Sequence, residues 1–396
     1  MDWIEWLSGY IFGRRIVDEL EENISPEESI IEDTAIPEDS IEDTAIPEED
    51  TPPDEHLIEA LEAPSKNPLH RPQGWNTFIS RSNQDTVDRL KMAIAAAKKE
   101  NRILPHILLF GGPGRGKTTL AKILASEMGC VFKETVGSAI SKQADLYTLF
   151  VELEQLSEAG KPVILFIDEI HDIARKDAPE TLWYPILEEF CFYHNLKESM
   201  IMIDGDKYRV TQSQARLTPF TIVGATTDPG MLSAPLRDRF PIQCYLNAYT
   251  VKDLRDILLG YAKRAGIKLF EKAALELAKR GRGTPRTAIS LVTACHDRAV
   301  LKDSGITSEI VTEQMDSQRI DEEGLTDLDI RILKVLSLAH PKGLGLSNLA
   351  GSSGLNKSTI SEMIEPLLKQ RGYMITTSRR FITNAGEELL KKKGVL

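Results

Sequence analysis

The sequence predicts an α/β protein: a parallel sheet with flanking helices and a phosphate-binding loop, followed by a helical module and a smaller module of helices, turn and strands. Three observations predict it. Apolar runs at 107–110 (ILLF), 163–167 (VILFI) and 221–225 (TIVGA) each follow helical stretches, as buried parallel strands do. A G-x-x-x-x-G-K-T stands between the first of these runs and a helix-forming segment. Beyond about residue 250 the pattern turns helical, and beyond 325 a compact helix, turn and strand pattern begins. With 396 residues, 41% hydrophobic and 27% charged, the chain can bury a sizeable core, which excludes a fibre, a mini-protein and a fully disordered chain.

Taken in order, residues 1–22 carry Trp3, Trp6, Leu7, Tyr10 and Ile11 at helical spacing, which predicts a short amphipathic helix. A docking helix for another protein, an interfacial membrane anchor and a helix folded back on its own core compete as readings. The polar face is acidic apart from Arg14-Arg15, which disfavours an anionic membrane surface. Residues 23–66 contain IEDTAIPE at 31–38 and again at 41–48, then Pro52, Pro53 and more acidic residues. Repelling charges and prolines predict a disordered, extended linker. It could tether the helix, or compete as an anion with DNA for the basic remainder.

The charge supports that division. Residues 1–70 hold 21 acidic against 3 basic side chains, so the whole-chain net of −12 leaves +6 for the rest. From Arg331 onward 11 basic side chains face 4 acidic ones, compatible with a phosphate-backbone contact or with a solvated surface. Cys130, Cys191, Cys244 and Cys295 stand apart with no CxxC pair, so reduced packing residues are expected rather than a disulfide framework or zinc site. No run approaches a membrane span, and Asp2 and Glu5 spoil a secretory signal, so a cytoplasmic location is expected.

The chemistry concentrates in the α/β module. Gly111, Gly112, Pro113, Gly114 and Gly116 form a loop whose backbone N–H groups can wrap phosphates at a helix N-terminus. Lys117 would reach the β- and γ-phosphates of ATP, and Thr118 would ligate Mg²⁺. VILFIDEIH places Asp168 and Glu169 at the carboxyl end of a second strand, Asp168 for Mg²⁺ through water and Glu169 as general base. Alone that pair could cap a strand; with the loop it favours hydrolysis. Thr227, after the third strand, could sense the γ-phosphate, or cap its strand end. Arg237 and Arg239 could form a surface ion-pair cluster, or complete a neighbouring chain's site. Gly283-Thr284-Pro285-Arg286 opens a later helix, from which Arg286 could contact phosphate.

The order of LLFGGPGRGKTTLAKILASEMG, LFIDEIH, TPFTIVGATTDPGMLSAPLRDRF, RGTPR, EEGLTDLDIRIL and GYMITTSRR resembles the RuvB family of Holliday-junction branch-migration ATPases, of the AAA+ class. The likeness runs from Arg71 to about Ala385. It implies an α/β P-loop AAA+ ATPase domain over 67–248, a helical lid over 249–324 and a winged helix over 325–396. It further implies that Lys117, Thr118 and Thr119 bind phosphate and magnesium, that Asp168 and Glu169 form Walker B, and that Thr227 is sensor 1. Arg239 would be a trans-acting arginine finger with Arg237 beside it, and Arg286 sensor 2. Arg71 and Tyr249 would contact adenine, and Glu188, Glu189 and Phe190 would lie near the nucleotide. Arg379 and Arg380 would touch DNA from the wing, and the ring would be hexameric and loaded by RuvA at a β-hairpin, here at about 191–218.

The chain departs from the family in places. Asp172 and Asp228 replace two basic positions near the motor core, the wing is about one residue short with Thr376 at a commonly basic position, and the acidic N-terminal 70 residues have no counterpart. Ile201, Ile203, Tyr208 and Val210 alternate around Asp204-Gly205-Asp206 as a hairpin requires, with a protein other than RuvA as the alternative partner. An ATP-driven motor on duplex or branched DNA is the first expectation. The alternatives are a ring repurposed as an assembly or partner-remodelling factor, recruited through residues 1–22 and the hairpin, and a scaffold that binds nucleotide without hydrolysis. Glu169 and the two arginines disfavour the scaffold.

Overall fold

The computed structural model describes residues 71–395 apart from 159, 176–179 and 204–205. The helix expected over 1–22 and the linker expected over 23–66 lie outside the described residues.

Helix α1 (Gln84–Glu100) precedes β1 (Ile107–Phe110), and α2 (Lys117–Met128) leads to β2 (Val131–Val136). Helix α3 (Gln143–Glu158) is followed by β3 (Val163–Asp168) and, after 3₁₀ turns, by α4 (Trp183–Glu189). The hairpin β4 (Cys191–Ile203) and β5 (Asp206–Arg216) comes next, then β6 (Thr221–Thr226), α5 (Ala234–Asp238) and β7 (Ile242–Tyr245). Strands β2, β3, β6, β1 and β7 form one parallel sheet in that order, with Ile107 opposite Val223 and Ile164 opposite Thr221. The apolar runs are continuous because both faces are covered, and alternate residues serve opposite sides. Leu108, Leu165, Ile167 and Ile222 pack with Leu149, Phe150, Trp183 and Phe240. On the other face Ile107, Leu109, Phe166 and Val223 pack with Leu90, Ile94, Leu120 and Leu124. Burial on both faces fixes the register, so every strand delivers its carboxyl end to one edge of the sheet.

The hairpin pairs Cys191 with Arg216 and Ile203 with Asp206, with an irregularity between Asn195 and Ser199. The expected alternation is kept: Ile201 stands opposite Tyr208 and Ser199 opposite Val210.

Helices α6 (Val251–Ala265), α7 (Glu271–Arg280), α8 (Pro285–Leu301) and α9 (Ser308–Ser317) make the second module, and its core includes Tyr249, Leu258, Leu277 and Val292. The third contains α10 (Asp327–Leu338), α11 (Leu346–Ser353), α12 (Glu365–Gln370), the antiparallel wing β8 (Met374–Thr376) and β9 (Arg380–Ile382), and α13 (Asn384–Lys392). Leu325, Ile332, Leu349, Leu368 and Ile382 close its core, and these helices with a two-stranded ribbon make a winged helix. Cys191, Cys244 and Cys295 are buried, Cys130 is half-buried, and all four are free. Among the described residues no helix is long and apolar enough to cross a membrane.

The modules are joined by charge. Arg81 Nε donates to Asp253 Oδ1 at 2.7 Å, which ties the start of the first module to the second. Asp329, buried in the third, accepts from Thr326 N at 2.7 Å and Thr326 Oγ1 at 2.6 Å as a capping box. Arg282 of the second module reaches the same carboxylate at 2.8 Å.

Candidate nucleotide site

The carboxyl ends of β1, β3 and β6 lie side by side, because these three strands are neighbours in the sheet. Gly116, at φ 98°, caps α2 from the left-handed region, which suits glycine because an L side chain clashes there. Gly114, at φ 68°, meets a second constraint: a Cβ on it would lie 2.7 Å from Arg286 Cβ and 2.8 Å from Thr284 Cγ2. The second module therefore rests its Thr284-Pro285-Arg286 turn directly on the loop, and Pro285 stands at the first position of α8 with its fixed φ suited to a helix start.

Lys117 is 7% exposed, and its Nζ donates to Gly111 O at 2.8 Å and Gly112 O at 3.4 Å. Burial pulls its pKa below the ordinary lysine value, while the carboxylates of Glu169 and Asp168 pull the other way. Asp168, at the end of β3, is pushed up by burial, with the Glu169 backbone N–H opposing by donating to it at 3.1 Å. A buried ammonium facing carboxylates beside a ring of backbone amides is a place where polyanion and divalent cation satisfy one another. Thr118 and Thr119 follow Lys117 in the first turn of α2, half-buried.

Glu169 sits at φ 46°, an uncommon conformation for a non-glycine residue. The strain is held by what the side chain reaches: its Oε2 accepts from Thr227 N and Thr227 Oγ1, both at 3.1 Å. Strand ends thus bring Lys117, Asp168, Glu169 and Thr227 to one crevice, with Arg286 at its lid. Such a crevice can neutralise phosphate charge and polarise a water.

Of the other expected residues, Tyr249 borders the loop and the rest stand elsewhere. Tyr249 is buried, its hydroxyl 3.7 Å from where a Gly116 Cβ would be, and burial pushes the phenol up to about 12. Arg71 is half-buried at the start of the described chain. Arg237 Nη1 donates to Pro229 O at 3.2 Å. Arg239 is folded onto its own chain: Nη1 donates to Pro235 O at 2.8 Å, Nη2 pairs with Glu188 at 3.0 Å, and the guanidinium lies 4.0 Å from the Tyr184 ring centroid. Phe190, at φ 55°, ends α4 and packs against His106 at 5.8 Å and Phe220 at 5.9 Å. His106 precedes β1, so Phe190 lies by the amino edge of the sheet, opposite the phosphate loop. Glu188 and Glu189 stand on the same end of α4. In the wing Arg379 is exposed, whereas Arg380 Nε pairs with the buried Glu365 at 2.6 Å. The structure therefore separates two arginines that the sequence presents as a pair.

Sequence reasoning missed His171, Arg282, Asp253 and Asp329. The Thr326-x-x-Asp329 spacing is readable as a capping box, but no local pattern names a partner 47 residues away such as Arg282.

Family models match in chain order: the Holliday junction DNA helicase RuvB P-loop domain over 70–246, the RuvB AAA lid domain over 249–321 and the RuvB C-terminal winged helix domain over 322–391. The RuvB branch-migration complex subunit of Nitratiruptor sp. is 38% identical over 323 residues, 81% of this chain and 91% of that protein. The corresponding subunit of Thermotoga maritima is 39% identical over 324 residues, 81% of this chain and 92% of its own. A solved structure of the Thermotoga maritima RuvB Holliday junction branch migration motor aligns with TM-score 0.66 at 36% identity, covering 82% of this chain and 98% of that one.

Proposed function

The chain belongs to the RuvB family, and from that premise we propose that it is an ATP-driven motor that moves branched DNA as part of an oligomeric ring. It is a P-loop AAA+ ATPase with a lid and a winged helix. The observation that carries the reading is the single crevice where Lys117, Asp168, Glu169 and Thr227 converge beneath the lid turn bearing Arg286. A motor that converts hydrolysis into movement needs its phosphate site to touch a second module, and Gly114 is where that contact is made.

The residues present fit a magnesium nucleotide. The loop amides and Lys117 would hold the phosphates, and Thr118 and Asp168 would hold Mg²⁺, which when bound supplies charge neutralisation at the β- and γ-phosphates. Glu169 would orient and deprotonate water; Thr227 fixes that carboxylate by two hydrogen bonds. Arg286 follows the lid onto the phosphates. Arg239 would act on a neighbouring chain's nucleotide, worth about 10³ to 10⁵ in rate. In this scheme residues 67–248 form the motor domain, 249–324 the lid and 325–396 the DNA-facing winged helix. The finer proposals are a hexameric ring in the cytoplasm, a RuvA-like partner at hairpin 191–218 and a protein partner for residues 1–22. The reading as a repurposed assembly factor is not favoured, since the matched family models span motor, lid and winged helix alike.

The test is steady-state ATP hydrolysis with no DNA, with duplex and with a four-way junction, alongside strand exchange on a labelled junction. DNA-stimulated hydrolysis and exchange, both lost in Lys117→Ala, are expected. Hydrolysis indifferent to every DNA would overturn the motor reading.

A further inference from the structure

The parallel ladder between β3 and β6 ends at Ile167 opposite Gly224. Beyond it the two strands no longer pair with each other: β3 stays beside β2 as far as Asp168 and β6 beside β1 as far as Thr226, after which β3 turns through the left-handed Glu169 into a 3₁₀ segment at Ile170–Arg175 and β6 into the turn at Pro229–Met231. Glu169 and Thr227 each stand one residue past these ends, where β3 and β6 are no longer paired with each other. Their mutual position decides whether a water can be aimed at a phosphate, and backbone pairing no longer fixes it.

Side chains take over that task. His171 is 8% exposed, and its Nδ1 lies 2.8 Å from Thr226 Oγ1 and 3.3 Å from Glu169 Oε2. The Nε2 side of the ring faces Asp172 Oδ1 at 3.7 Å, so the imidazole is held between the two strand ends. Thr226 is fully buried, and its Oγ1 also accepts the backbone N–H of Asp228 at 3.0 Å. The imidazole on the β3 side therefore grips the hydroxyl that fixes the backbone on both sides of Thr227.

We propose that His171 is a positioning residue for ATP hydrolysis: through Thr226 it locks the end of β6 to the end of β3, so that Glu169 and Thr227 present themselves to the substrate as one rigid pair. It acts through them and touches no substrate itself. The proposal rests on the reading of Glu169 as the base, and it adds that the pair is prearranged before nucleotide arrives.

The test uses the full chain and follows kcat, KM, binding of a fluorescent non-hydrolysable ATP analogue and thermal midpoint. An asparagine amide nitrogen falls near the position of Nδ1, whereas a glutamine amide falls near Nε2, so His171→Asn should stay within about threefold of the parent kcat. His171→Gln and Thr226→Val should lose between about tenfold and a hundredfold in kcat with analogue affinity little changed, the size expected for misplaced reacting groups. Thr226→Ser, which keeps the hydroxyl, should retain activity. The double variant His171→Gln, Thr226→Val should lose no more than the worse single one, because both break one link. Parent-like kcat in His171→Gln, losses that multiply in the double variant, or His171→Asn as poor as His171→Gln would each overturn the proposal. Failure of the underlying reading looks different: Glu169→Gln would then keep hydrolysing ATP.

Discussion

The nucleotide crevice and the wing both carry positive charge, and they hold it in opposite ways. In the crevice Lys117 is 7% exposed, bonded to loop carbonyls and faced by Asp168 and Glu169. In the wing Arg379 is exposed, and its guanidinium Nη1 donates to Lys342 O at 3.2 Å. A charge taken from water stands only among prescribed partners, so residue types and spacing are tightly constrained. A charge left in water is solvated wherever it stands. The first kind of site writes a motif into the chain and the second does not.

Arg239 breaks this division most sharply, because it is half-buried and its described contacts lie away from the crevice. Its partners Glu188, Tyr184 and Pro235 all belong to the same chain as Arg239. Arg239→Ala should lower kcat of the assembled ring by about 10³ to 10⁵ while each chain still binds nucleotide. The sharper form mixes Arg239→Ala chains with Lys117→Ala chains in one ring. Interfaces at which an intact crevice meets an intact arginine should regain hydrolysis. If neither mixture nor parent ring depends on Arg239, its contacts with Glu188 and Tyr184 are its whole role.

The two wing arginines set the same comparison within two residues. Arg380 pairs with Glu365, whose side chain is 3% exposed and which Lys369 Nζ also reaches at 2.9 Å. Burial alone would raise the Glu365 pKa, but the hydrogen bonds from Arg380 and Lys369 outweigh it and hold the carboxyl below its ordinary value. Arg380→Ala should destabilise the winged helix by about 3 kcal/mol, the low end for stranding a buried charge, because Lys369 remains. A carboxylate held low stabilises the fold above its unfolded pKa and loses that contribution as pH falls through the folded one. The parent's advantage over the variant should therefore be full near neutral pH and shrink as pH falls below the ordinary glutamate value. An unchanged thermal midpoint would remove the structural role assigned here.

How much the sequence reveals follows the same line. The strands, the phosphate loop and the order of modules are legible because burial forces long apolar runs and fixed glycine positions. His171 was not legible as a functional residue, since its link to Thr226 spans 55 residues and depends on two strands diverging. The RGTPR and LTDLD segments read as separate signatures, yet Arg282 and Asp329 join them across a module boundary. In the wing, Arg379 belongs to the bend before β9 and Arg380 to the strand itself, a boundary that two adjacent arginines do not mark in the sequence.

His106 extends the comparison to a proton. It is 5% exposed, its Nδ1 accepts from Ile222 N at 3.0 Å, and burial lowers it to about 4 despite a backbone hydrogen bond at Leu187 that favours the charged form. Above the unfolded value of about 6.5 both states are neutral there. Between 6.5 and about 4 the unfolded chain binds a proton that the native chain refuses, so stability falls as pH falls, by about 3 kcal/mol over that window. Chemical denaturation across this range should show the slope, and His106→Asn, which keeps an acceptor and cannot charge, should flatten it.

The smallest expected effect is the one that decides what the wing does. Arg379→Ala removes an exposed charge with little packing, so the thermal midpoint should not move and DNA-free hydrolysis should be intact. Affinity for duplex should fall by a similar factor on every sequence, and the slope of log affinity against log salt should shrink by about one, the signature of a single lost phosphate contact. A drop in affinity with an unchanged slope would mean that Arg379 shapes the wing instead of touching the backbone. No change in either would move the DNA contact to other basic side chains of the module, and would extend the contrast: charge that the fold does not fix cannot be assigned a role from its position alone.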